Sequence, residues 1–251
     1  IAVGASNDFN FGTEDFTIST WVNIDAIGSY PYLFDFRSSS TDTSNVITAY
    51  IESNNRITIY GGGATITTSA TQLLVGVWYN IIVKRNSGSV TIHLNGNSAD
   101  ATGTFTNDMN TTPKLNIGAR ADGVNGLNGK FSNFSIWNTS LTSAQVSELY
   151  NEGVPSNLNN HSAYSNLVSW WQLGSNSSFN TNWTVLDEKG SNNGTSANMT
   201  EDDIVDGVNT YGGGTSSGMG GDEVIGDAPY SSSNSLSVNM DVEDRTTDTP
   251  S

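Results

Sequence analysis

Cysteine is absent from the 251 residues, histidine occurs twice and proline five times. Without cysteine there is neither a disulfide framework nor thiol chemistry. That weighs against a typical eukaryotic secreted module and suits a bacterial surface protein or a virion protein. The two histidines, His93 and His161, have no cluster of His or Cys partners of the kind a zinc site needs. Basic residues are scarce too: nine Lys and Arg stand against 25 Asp and Glu, a net charge of −16. Nucleic-acid backbones demand clustered Lys and Arg, which argues against that partner class. No hydrophobic run approaches the roughly 20 residues that span a bilayer, so no transmembrane helix and no membrane insertion are expected. The acidity is uneven: residues 1–200 carry 14 acids and 8 bases, whereas 201–251 carry 11 acids and the single base Arg245.

What the chain does contain is Gly, Asn, Ser and Thr between short apolar stretches, the composition of many strands joined by tight turns. Strands are expected near Phe16–Ile24, Tyr32–Arg37, Val46–Glu52, Arg56–Tyr60, Trp78–Arg85, Ser89–Leu94, Leu115–Gly118, Lys130–Trp137 and Leu167–Leu173. Ile57 and Ile59 alternate with Thr58 and Tyr60, and Val90, Ile92 and Leu94 with Thr91 and His93, so each sheet has one packed face. Asn54-Asn55 and Asn86–Gly88 fit hairpin turns. One helix is expected at about 141–151. Thr142 and Gln145 make a capping box, Val146, Leu149 and Tyr150 recur at helical spacing, and Gly153 with Pro155 is expected to stop it. The chain opens on Ile1, not methionine, in what reads as mid-strand, so further residues of the gene product are expected before it.

Three passages in order, Phe9–Val22, Trp78–Gly96 with its Asn-Gly ending, and Gly129–Gly153, resemble the laminin-G-like, concanavalin A-type jellyroll; Leu115–Gly118 agrees with them. The resemblance implies an all-β, two-sheet antiparallel jellyroll sandwich with one short helix. Leu167–Gly174, Val185–Asp187 and Gly190–Thr195 look like the opening of such a domain yet follow the helix. Either 167–199 returns to complete a permuted sandwich, or a second copy begins and is cut short. Only about 85 residues follow Leu167, too few for a second sandwich, which favours the permuted arrangement. The domain is therefore drawn at 1–206 and followed by a Gly/Ser-rich acidic tail, 207–251. Within that tail Leu236, Val238, Met240 and Val242 alternate with polar residues as an amphipathic strand near 235–243. It reads either as an edge strand of this domain or as an assembly strand added to a neighbouring chain.

Some relatives of the fold hydrolyse β-glucans and carry their carboxylates as Glu-x-Asp-x-x-Glu, a pattern missing here. Gly214–Gly218 matches Gly-x-Ser-x-Gly, but no helix follows to make a nucleophile elbow. The chain is therefore expected not to be an enzyme, a glycoside hydrolase being the distant third reading. Tyr30 and Tyr32 flank Pro31 and could form an aromatic rim for sugar, and Trp171 is assigned to solvent because its neighbour Trp170 takes the core. Asp122, Asn125 and Asn128 form an oxygen-rich segment that suits calcium, as it also suits a plain turn. The leading expectation is a non-catalytic recognition or adhesion module outside a cell, on its surface or on a virion, with a glycan or cell-surface receptor as partner. The alternative is a structural subunit, a virion decoration or appendage protein, whose tail self-associates or docks on neighbouring chains.

Overall fold

Period-two alternation divides this chain between two layers. A computed structural model describes residues 1–109, 112–174, 176–206 and 234–238. Eleven strands come first: β1 (Ala2–Val3), β2 (Phe16–Ala26), β3 (Tyr32–Asp35), β4 (Ile47–Ile51), β5 (Arg56–Gly61), β6 (Ala64–Gln72), β7 (Trp78–Asn86), β8 (Ser89–Leu94), β9 (Ala99–Thr104), β10 (Leu115–Ile117) and β11 (Asn128–Trp137). The helix α1 (Ser143–Tyr150) follows, and then β12 (Leu167–Trp171), β13 (Ser178–Asn180), β14 (Asn182–Val185), β15 (Gly194–Thr195), β16 (Ile204–Asp206) and β17 (Asn234–Val238). All pairings among these strands are antiparallel. One sheet runs β13-β14-β15-β1-β10-β3-β4-β5-β6. The other runs β16-β17-β11-β2-β7-β8-β9, with β12 also on β11. The result is a jellyroll sandwich.

Between the sheets, Ile18, Val22 and Ile24 of β2, Val83 of β7 and Phe134 of β11 meet Phe34, Ala49, Ile57 and Ile59 of the opposite layer. Phe34 and Phe134 bridge the layers edge to face, ring centres 6.1 Å apart. Arg85 is buried in this interior. Its guanidinium donates to the main-chain carbonyls of Phe11, Gly12, Glu14 and Asn107, so a charge inside the core is matched by hydrogen bonds and not by a carboxylate. β7 and β8 are joined through Ser87 (φ 49°) and Gly88 (φ 79°), the pair of left-handed residues that a two-residue hairpin of right-handed twist requires.

The helix forms where its capping box predicts. The Thr142 hydroxyl accepts from the Gln145 amide and the Gln145 side chain accepts from the Thr142 amide. It ends earlier than Gly153, at Asn151, whose left-handed backbone (φ 44°) lets its N–H reach the Ser147 carbonyl. Val146 and Leu149 pack with Ile82, Trp137, Leu158 and Trp170 on the outward face of the eight-stranded sheet.

Residues 167–206 supply strands to both layers: β12 lies along β11, and β14 and β15 extend the sheet beside β1. Asp187 organises the return, its carboxylate accepting from the amides of Trp170, Lys189, Gly190 and Asn192 at 2.9–3.2 Å. The exposure expected for Trp171 needs correcting. β12 is covered on both faces, Trp170 beneath the helical layer and Trp171 in the main core beside Phe9 and Phe134, and Trp171 is 0% exposed. Its indole N–H donates to the Asn192 carbonyl, so no part of the ring is left for a sugar.

β17 lies between β11 and β16 of this same chain, with Leu236 opposite both Phe131 and Ile204 and Val238 opposite Gly129. The rest of the 207–251 tail, including the Gly214–Gly218 pattern, Met240 and Val242, lies outside the described residues. Among the described residues, no helix is long and apolar enough to cross a membrane.

Candidate functional site

Strands β4 and β5 turn Ile47, Ala49, Ile51, Ile57 and Ile59 inward, so Tyr50 and Tyr60 face out by alternation, while in β3 a register shift between Tyr32 and Phe34 sets Tyr32 opposite Tyr50 and Phe34 in the core. Tyr32, Tyr50 and Tyr60 occupy outward positions on these three adjacent strands, with Tyr32 directly opposite Tyr50. The rings of Tyr32 and Tyr50 lie 5.4 Å apart, and Tyr30 meets Tyr50 edge to face at 6.0 Å. With Arg37, Arg120 and Asn125 they line a cleft of about 400 Å³. Burial, and then the charge of Glu52, push the Tyr50 phenol above its ordinary value, so it stays neutral.

Tyr30 is the exposed member, 45% accessible, and its backbone is left-handed (φ 53°). A bulky residue in that region costs on the order of 1 kcal/mol and persists only when its surroundings enforce it. The enforcement comes from Asn125, whose side-chain amide donates to the carbonyls of Ser29 (2.8 Å) and Tyr30 (3.3 Å). The Asn125 carbonyl also accepts from the Tyr32 amide at 3.0 Å.

Both arginines of the cleft are charge-paired. Arg37 makes a two-pronged contact with Asp35, Nε and Nη2 each 2.8 Å from a carboxylate oxygen, and donates to the Tyr32 hydroxyl at 3.1 Å. Burial alone would lower the Arg37 guanidinium, but the hydrogen bonds and charge of Asp35 outweigh it and hold it above the ordinary value. Asp35 is fully buried and takes a further amide, Ala121 at 2.8 Å. Arg120 likewise clamps both oxygens of Asp122, at 2.9 and 2.6 Å. Those bonds hold the Asp122 carboxyl well below the usual carboxylate range.

Of the segment expected to suit calcium or a plain turn, Asp122 and Asn125 make hydrogen bonds within the chain. Both Asp122 oxygens already face a guanidinium, the Asn125 amide binds main-chain carbonyls, and Asn128 lies in β11 opposite Ala26. Among the described residues no three His, Cys, Asp or Glu side chains stand together as a metal cluster. Of the expected sugar contacts, Tyr30 and Tyr32 do share one cleft, together with Asn125 from the expected metal loop. Tyr50, Tyr60, Arg37 and Arg120 were not singled out in the sequence. The outward placement of Tyr60 was legible in its alternation with Ile57 and Ile59. Nothing in sequence separation brings Arg37 beside Arg120.

Residues 2–147 match the family described as the concanavalin A-like lectin/glucanases superfamily, and the chain belongs to it. Among solved structures, it is similar to a proposed carbohydrate-binding protein from Bacteroides ovatus, at 16% identity and a TM-score of 0.58. That match covers 77% of this chain but only 55% of the other. Domain 4 of an extracellular arabinanase from Geobacillus stearothermophilus, solved with arabinotriose, aligns at 16% identity over 57% of this chain and 69% of its own, with a TM-score of 0.46. A pentraxin from Limulus polyphemus aligns at 15% identity over 59% and 81%, with a TM-score of 0.44. No curated protein sequence matches.

Proposed function

We propose that the protein is a non-catalytic carbohydrate-recognition module whose binding surface is the tyrosine-lined cleft on the nine-stranded sheet. The observation that carries this reading is the row of Tyr32, Tyr50 and Tyr60 across β3–β5, extended by the exposed Tyr30. Aromatic faces stack on the apolar faces of sugar rings. The phenolic hydroxyls and the free N–H groups of Arg37 and Arg120 supply hydrogen bonds to sugar hydroxyls. Because each arginine is already paired with an aspartate, the cleft offers donors without net positive charge, which suits an uncharged glycan. Family membership and the fold shared with the Bacteroides ovatus protein support the same class of ligand.

Glycoside hydrolysis needs one carboxyl free to give a proton and a second to act as base or nucleophile. Of the carboxylates beside the cleft, Asp35 and Asp122 are each engaged by a guanidinium and Glu52, near Tyr50, accepts from the Thr58 hydroxyl, which supports a binding surface. A module of this kind serves at a cell surface, in the extracellular space or on a virion. Both edges of β17 are occupied within the chain, so assembly through the tail would have to use its residues outside 234–238.

A glycan array probed with the full chain tests the reading. Binding to neutral glycans that Tyr50→Ala and Tyr32→Ala each weaken about tenfold, with the fold retained, supports it. Absence of any glycan signal, or signal unchanged by both substitutions, overturns it.

A further inference from the structure

The opposite sheet carries a second cleft of different character. α1 and the segment after it roof the outward face of β11 and β2, and this cover stops at Ser143. Beyond it the face of β7 and β8 opens into a cleft of about 400 Å³ lined by Lys84, Ser89, Thr91, His93 and Ser143. Alternation explains the lining. Val83, Val90 and Ile92 point into the core, so Lys84, Thr91 and His93 point out on neighbouring strands, with Lys84 opposite Thr91.

Lys84 is half-buried, and its ammonium donates one hydrogen bond, to the Leu141 carbonyl at 2.7 Å. Among the described residues no carboxylate pairs with it, in contrast to Arg37, Arg120 and Lys130. A chain of net charge −16 therefore holds one partly desolvated cation facing a cleft without a counter-charge. An ammonium with unused donors, ringed by the hydroxyls of Ser89, Thr91 and Ser143, is built to receive an oxyanion.

His93 completes the arrangement. Its Nδ1 lies 3.0 Å from the Asn97 carbonyl, which can only accept, so Nδ1 carries the proton. Nε2, 3.1 Å from the Thr91 hydroxyl, therefore accepts from it while the ring is neutral, and the Thr91 proton is turned away from the cleft. Burial pushes His93 below its ordinary value; the Asn97 carbonyl opposes this, and Lys84, the charged side chain that faces the ring, pushes it down further. From β9 and α1 the cleft receives only Ala99 and Ser143, neither of which titrates. When His93 takes up a proton, Nε2 becomes the donor and the Thr91 hydroxyl is released to donate into the cleft.

We propose that this cleft is a second binding site, independent of the tyrosine cleft, for a carboxylate or sulfate group carried on a hydroxyl-rich ligand such as an acidic sugar. Lys84 supplies the charge, and Ser89, Thr91 and Ser143 the hydrogen bonds. The same oxyanion chemistry is offered by uronic acids and by sulfate esters, and the experiment separates them.

Amide NMR spectra of the full chain are followed while glucuronate, inorganic sulfate or glucose is added at constant ionic strength, at pH 7.0 and pH 5.5. The expected result is saturable shifts at Lys84, Thr91, His93 and Ser143 with glucuronate or sulfate and none with glucose. Lys84→Gln, which keeps a donor for Leu141, weakens binding at least tenfold, and binding tightens at the lower pH unless His93 is replaced by Gln. Thr91→Val, which leaves Lys84 in place, is expected to weaken binding severalfold and serves should Lys84→Gln fail to fold. Tyr50→Ala leaves these shifts unchanged, which separates this site from the tyrosine cleft. Absence of saturable shifts at these residues, or an unaltered titration in the first variant that folds, overturns the proposal.

Discussion

On the eight-stranded sheet the outward aromatic residues are roofed by the chain itself, whereas on the nine-stranded sheet they face solvent. Trp137 and Trp170 lie under α1 and the segment after it, and Trp21 stacks on Tyr150 of α1 with ring centres 5.7 Å apart. Tyr32, Tyr50 and Tyr60 have no such cover and line a cleft. The strands on both faces follow the same alternation, so the secondary structure does not set them apart. One helix placed between β11 and β12 turns a row of outward aromatics into a second small core, and its absence on the other side leaves a row free to bind. The same residue class thus contributes stability on one face and recognition on the other.

That contrast can be broken by substitution. Trp170→Ala, under the roof and 0% exposed, is expected to cost about 3–5 kcal/mol in urea unfolding. Arg37→Ala is expected to cost nearly as much, roughly 3 kcal/mol, although it lies at the open cleft, because it strands the buried Asp35 carboxylate. If Arg37→Ala proves mild, the pair is more solvated than its burial implies and the cleft floor is softer than the roofed face. Tyr50→Ala should divide the two roles, lowering glycan affinity about tenfold, or roughly 1.4 kcal/mol. In stability it should cost about 1 kcal/mol, the order of an aromatic pair. Arg120→Gln removes an exposed ion pair and is expected to change stability by about 0–1 kcal/mol in the same assay.

The smallest effect concerns pH. Burial pushes both His93 and His161 below the ordinary histidine value, so the folded protein favours their neutral forms. The unfolded chain takes up these protons at a higher pH, near 6.5, than the folded one. Their contribution is therefore fully present above about pH 6.5 and declines as pH falls from there toward the folded values. Melting temperatures recorded between pH 7 and pH 5 should show this slope, and His161→Gln and His93→Gln should each flatten it.

Much of the fold could be read in the sequence because its inner strands carry strict alternation, as at Ile57–Tyr60 and Val90–Leu94. The capping box of Thr142 and Gln145 announced the helix. Two strands that escaped notice, β6 and β9, are polar and lie at the sheet edges. They close the two sheets at one side, and the sequence Ala-Asp-Ala-Thr-Gly-Thr of β9 has no large apolar side chain to display. Gly103 of β9 sits so close to β6 that a Cβ there would stand 2.3 Å from the Ile66 carbonyl, which leaves no room for the side chains that advertise a strand. The site was legible only in pieces. Tyr30 and Tyr32 are neighbours in sequence, but Arg120 and Asn125 reach them only through the pairing of β10 with β3. Trp171 misled because alternation says that two neighbours face opposite ways, without saying that both faces are covered.

β1 is two residues long and is held from both sides, Val3 lying opposite Leu115 on one neighbour and Gly194 on the other. Its place in the sheet thus depends on a partner nearly two hundred residues further along. Chains dominated by such distant pairings fold in roughly milliseconds to seconds, slowly for their size. On a ribosome adding about 5–20 residues per second, the opening strand would wait on the order of ten seconds or longer for its second neighbour. During that interval the nascent nine-stranded sheet has an unfinished edge, and the cell must carry it safely until Gly194 and Thr195 emerge to close it.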